Sequence, residues 1–105
     1  MTKPERIAWL KTCTASHRRE YYKAIKNLPC IVTGKWPTVA HHCFGYAFPA
    51  TRDHRPCIPL HETMHKEGEP DGIHERKRSW ERDFGTQEEL LIKTEELLEA
   101  SWKNQ

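Results

Sequence analysis

Between Pro4 and Leu28 the apolar positions Ile7, Leu10, Tyr21, Ile25 and Leu28 recur at roughly helical spacing. Pro4 suits a first helical position. The polar stretch Thr12–Ser16 interrupts the pattern and Ser16 offers a cap, so the segment predicts one broken helix or two. Beyond Pro29 the period changes. Cys30-Ile31-Val32-Thr33 and Thr38-Val39-Ala40-His41-His42 are short and rich in β-branched residues, with Gly34-Lys35-Trp36-Pro37 between them, which predicts a β-hairpin. Residues 43–58 are irregular. Pro59 predicts a helix start near Leu60, carrying His61 and His65 and stopping near Gly68. After a loop at Pro70 and Gly72, a helix is expected over 73–84, burying Ile73, Trp80 and Phe84 and closing at Gly85. Thr86 and Glu89 form a capping box that opens a last helix, with Leu90, Leu91, Leu97, Leu98 and Trp102 as its inward positions. The layout is one α+β domain over residues 1–105: a helical segment 1–28, a hairpin-plus-helix core 29–67, and C-terminal helices 73–105.

The chain has 105 residues, 36% hydrophobic and 30% charged, room for one small core. No apolar run reaches the ~18 residues of a membrane span, and the N-terminus has no continuous apolar stretch, so neither a span nor a signal peptide is expected. Cys13, Cys30, Cys43 and Cys57 lack a disulfide framework, which fits a reducing cytoplasm; Cys13, Cys43 and Cys57 read as small buried residues. Charge is uneven: residues 1–60 carry a balance of +7 and residues 61–105 one of −5. A basic half suits a polyanion. Lys11, Arg18, Arg19, Lys23 and Lys26 are candidate phosphate contacts along the first segment, with Lys35, Arg52 and Arg55 further on. Trp36, at the hairpin tip, is a candidate to touch the same partner; Trp9, Trp80 and Trp102 read as core.

Five of the seven histidines fall within 25 residues: His41, His42, His54, His61 and His65. Residues four apart on a helix share a face, so His61 and His65 could hold one metal ion. Neighbours on a strand point to opposite faces, so His41 and His42 divide their roles, one on the metal and one free. Three protein ligands leave a coordination position open, the catalytic arrangement, and the spare histidine is then a candidate general base. Basic surface, open metal site and adjacent base together suggest phosphodiester hydrolysis.

The ordered series Pro29-Cys30-Ile31-Val32-Thr33-Gly34, Ala40-His41-His42-Cys43, Pro59-Leu60, His65, Gly72-Ile73-His74 and Ser79–Gln87 resembles the HNH, or ββα-metal, endonucleases. Among them it is most similar to phage-encoded, Ref-like, RecA-dependent enzymes. The resemblance implies a ββα-metal core, one divalent ion (zinc, magnesium, manganese or nickel), and DNA as substrate, cut to 5′-phosphate and 3′-hydroxyl ends. It further implies a link to RecA filaments and a phage protein working in the bacterial cytoplasm. His41 would be the first ligand, His42 the base, and His65 a ligand with His61 beside it. Asp53 or His54 would fill the middle position of the motif, Asp53 being favoured by residue type. His74 could replace His61 or contact substrate. The pairs of cysteines that hold a structural zinc in many such domains are missing. A rival reading is a non-catalytic, metal-stapled DNA-binding or recombination accessory module; a metal-free protein is the third.

Overall fold

The computed structural model describes residues 1–45 and 48–103. Two separate helices open the chain, α1 (Lys3–Thr12) and α2 (Ala15–Lys26). Thr14, not Ser16, caps α2, its side chain accepting from the His17 amide, and Thr2 does the same for α1 from Glu5. The remaining elements are β1 (Thr38–His42), a single 3₁₀ turn (Arg52–His54), β2 (Cys57–His61), α3 (Glu62–His65), α4 (Ile73–Arg76), α5 (Trp80–Phe84) and α6 (Gln87–Lys103). No helix among the described residues is long and apolar enough to cross a membrane.

The hairpin is not the expected one. β1 pairs antiparallel with β2, His41 opposite Ile58 and His42 opposite Cys57. Residues 30–33 form a turn instead, in which the Gly34 amide donates to Cys30 O at 2.8 Å and the Cys30 amide to Lys35 O at 3.0 Å. They meet the sheet through Ile31 N–H, which donates to Pro59 O at 3.0 Å. That bond explains how a proline sits inside β2. The Pro59 carbonyl points away from β1, so its nitrogen does too, and the Ala40–Pro59 pair needs no N–H. Pro59 therefore extends the strand rather than opening a helix, and α3 is only one turn starting at Glu62. The single helix expected over 73–84 is likewise broken into α4 and α5.

A two-stranded sheet is marginal alone, and here both faces are covered. Ile58 and Leu60 pack with Ile73, Trp80, Leu90 and Leu91 on one face. Cys57 packs with Leu10, Tyr21, Ile25 and Leu98 on the other. Each fully buried Leu, Ile or larger side chain stabilises the domain by about 1.5–3 kcal/mol. α6 reaches both clusters and is entered through the expected capping box, with Glu89 N–H donating to Thr86 Oγ1 at 3.1 Å. Leu97 and Trp102 lie on its outer side, 39% and 50% exposed, not in the core. All four cysteines are free; Cys43 and Cys57 are fully buried, whereas Cys13 is only half-buried. α1 and α6 are joined by a buried ion pair, Arg6 Nε to Glu95 Oε1 at 2.7 Å and Nη2 to Oε2 at 2.8 Å. The Arg6 guanidinium also lies 5.0 Å from the Trp9 ring and 4.6 Å from that of Tyr21.

Candidate metal centre and basic cleft

Alternation along β1 puts Val39 and His41 on the face that meets Ile58 and Leu60, and Ala40 and His42 on the α2 face. On the first face His41 meets two histidines from the short helices that follow β2. Ring centroids are 5.2 Å apart for His41–His65, 5.2 Å for His41–His74 and 4.5 Å for His65–His74. One ligand nitrogen from each of the three lies within 4.8 Å of the others, close enough to hold a metal ion. His65 Nε2 and His74 Nε2 are 3.0 Å apart. Metal–nitrogen bonds of about 2.0–2.1 Å place adjacent ligand nitrogens roughly 3.0–3.4 Å from each other, so the residues present fit an ion.

Gly72 makes this meeting possible. A Cβ there would overlap the carbonyl oxygen of Lys66, so only glycine lets the start of α4 approach the end of α3. His74 is thereby delivered beside His65. His61 is not in the cluster. It ends β2 and caps α3, Nδ1 accepting from the Thr63 amide at 3.3 Å and lying 2.9 Å from Thr63 Oγ1. The i, i+4 face expected for His61 and His65 requires one helix through both, and the chain is still strand at His61.

Behind His41 stands a residue to which the sequence assigned no role of its own. Gln87, 2% exposed, accepts from Phe44 N–H at 3.0 Å through Oε1 and donates from Nε2 to Phe44 O at 3.2 Å. Those two bonds fix which end of the amide is oxygen. Oε1 also lies 3.3 Å from His41 Nε2, so that ring nitrogen carries the proton and the His41 lone pair is on Nδ1. Metal-binding imidazoles are commonly oriented this way by a neighbour. The capping box identified Gln87 as an early helical residue, but gave no sign that its amide points inward.

Burial, then the neighbouring His65 and His74 rings, push the pKa of His41 down to about 3. Burial, then His74, lowers His65 to about 4. Both are neutral at pH 7, the form that binds metals.

His42 lies across the strand in different company. Its ring packs edge-on to Tyr22, with centroids 5.1 Å apart, and Arg52 Nε lies 3.4 Å from its Nδ1. Burial and the Arg52 charge lower its pKa. Tyr22 in turn donates its hydroxyl to the Asp53 carbonyl at 3.2 Å, tying α2 to the 3₁₀ turn. Asp53 itself is exposed and His54 half-buried, and neither joins the three-histidine cluster.

Four successive residues of β1, Val39 to His42, line one cleft of about 610 Å³. Alternating side chains can do so only if the cleft runs along the strand's edge. β1 has that edge free: its sole strand partner among the described residues is β2. His65 and His74 border the cleft on one side, Tyr22 and Lys26 on the other, with Arg52 and Arg55 also lining it. His41 and His42, from opposite faces, thus flank a common space. Of the other basic residues, Lys11, Arg19, Lys23 and Lys35 are exposed. Arg18 is half-buried and donates to Leu10 O at 3.1 Å, so it braces α1 against α2. Arg55 donates to Pro49 O at 2.6 Å and Ala50 O at 3.1 Å.

Fold and site together define a small α+β protein in which three imidazoles border a basic cleft along a strand edge. The chain belongs to the DUF968 family, a family of proteins of unknown function, which matches residues 1–100. No curated protein and no solved structure matches it.

Proposed function

We propose that the protein is a metal-dependent DNA endonuclease of the HNH type. The observation that carries this reading is the pairing of a three-imidazole cluster with a fourth histidine, His42, on the opposite face of the same strand and in the same basic cleft. A staple needs only the first three. His41, His65 and His74 would hold a divalent ion, whose Lewis acidity offsets the charge that builds up on the phosphate. Lys26, Arg52 and Arg55 draw the DNA backbone into the cleft. His42, kept neutral by burial and Arg52, is the general base. In the free protein Arg52 covers its basic Nδ1. A bound phosphodiester offers that guanidinium a stronger, charged partner. Nδ1 then takes a proton from water, the water oxygen attacks phosphorus in line, and the 3′-oxygen leaves and is protonated by solvent.

Plasmid nicking by wild type and His42→Ala tests this, in EDTA and with Mg²⁺, Mn²⁺, Zn²⁺ or Ni²⁺, with and without RecA-coated single strands. Metal-dependent nicking by wild type alone is expected, with His42→Ala keeping its metal and DNA binding. Equal nicking by both proteins refutes the assignment of the base. Intact metal and DNA binding without cleavage in any condition favours the accessory module.

A further inference from the structure

At 60% exposure Trp36 is the most exposed large apolar side chain among the described residues. Among the described residues its ring has no aromatic partner and no cation over it, unlike Trp9 and Trp80. Yet the backbone on both sides of it is held. Lys35 O accepts from Cys30 N–H at 3.0 Å. Thr38 Oγ1 lies 3.2 Å from Lys26 O and 2.9 Å from Leu28 O. A large apolar surface is thus presented to solvent on a braced loop, where it contributes nothing to the core. Lys35 beside it is exposed.

The loop leads directly into β1, whose residues from Val39 onward line the cleft, and its anchor on Lys26 is a residue of the cleft wall. Trp36 lies in the bend just before β1, and His41 lies three residues, roughly 10 Å, beyond the strand's first residue Thr38, a reach within a site that spans four or more nucleotides of one strand. We infer that Trp36 is a stacking platform for an unpaired DNA base, so that the cleft takes single-stranded or locally melted DNA in preference to duplex. Both faces of a base inside a duplex are already covered by its neighbours, whereas an unpaired base can lie on the free indole. Stacking of this kind tolerates any base and acts beside backbone contacts from Lys and Arg. The inference rests on the cleft being a nucleic-acid site.

The test is fluorescence anisotropy of the full chain in EDTA, with labelled oligothymidine and with a blunt hairpin duplex. Wild type should bind the single strand more tightly. Trp36→Ala should weaken single-strand binding about 5- to 100-fold, Trp36→Phe should retain most of it, and duplex binding should change less than about twofold. Zinc affinity and melting temperature, measured on the same variants, should not move, since the side chain is outside the core. If wild type binds DNA but Trp36→Ala binds oligothymidine equally well, or loses duplex and single strand alike, the stacking role is wrong while the cleft reading stands. If wild type binds neither form of DNA, the endonuclease reading fails and takes this inference with it.

Discussion

Replacing Gln87 by leucine removes the amide that links α6 to Phe44 and His41 while keeping nearly the same volume. Three hydrogen bonds are lost, at 3.0, 3.2 and 3.3 Å. Leaving a buried polar group without a partner costs about 1–3 kcal/mol. Phe44 is only half-buried, so water can compensate part of this and the whole change should cost about 3 kcal/mol. Set against the 5–15 kcal/mol typical of a domain, that is a large fraction, corresponding to a fall in melting temperature on the order of 10–20 °C. The role in orienting His41 gives a second readout. In isothermal titration, Gln87→Leu should bind Zn²⁺ about 10- to 100-fold more weakly. A melting temperature and a zinc affinity both unchanged in Gln87→Leu would show that His41 is held by packing alone and that the tautomer argument is mistaken.

Exchanging ligands separates the two readings of the cluster: His74→Ala should abolish tight Zn²⁺ binding and His61→Ala should leave it within about twofold, the reverse result restoring the helical-face pair. In chelator, stability should fall with pH from about 6.5 towards 4. The unfolded chain takes up protons on His41 and His65 near 6.5, whereas the folded one does so only near about 3 and about 4. The slope from His41 alone is at most about 1.4 kcal/mol per pH unit, and urea melts that agree at pH 7 and pH 5 would refute it. Arg6→Met strands the buried Glu95 carboxylate and should cost about 3–5 kcal/mol, while the double variant Arg6→Met/Glu95→Leu should recover most of it; a double variant as unstable as the single one contradicts this account.

The parts of the fold that speak in local patterns were legible. Helical spacing located α1 and α2, spacing and a capping box located α6, and the histidine density held two of the three clustered imidazoles, His41 and His65. Strand pairing was not, because it is decided by long-range geometry. Cys30–Thr33 has the composition of a strand and a turn signal after it, yet Gly34 closes it into a turn, and β1 finds its partner 15 residues beyond its own end. Pro59 hid that partner: only the direction of its carbonyl, towards Ile31, makes it compatible with the ladder. The same displacement moved His61 out of the cluster. His74 replaced it through Gly72, whose requirement is a close approach of two backbone segments and leaves no periodic trace. His41 and His42 lie on opposite faces of β1, as strand alternation requires. That they face one cleft depends on β1 lying at an edge, which no pattern along the chain reveals.

That open edge has a consequence for solubility. A bare strand edge is a template on which a second chain can add its own strand, the first step towards aggregation. Here Lys26, Arg52 and Arg55 border the exposed ladder groups of β1, and an approaching copy would bring the same positive charges against them. The groups that suit the cleft to a polyanion also repel its own kind. Neutralising them should therefore leave the protein prone to self-association, most of all at high salt, where the remaining repulsion is screened.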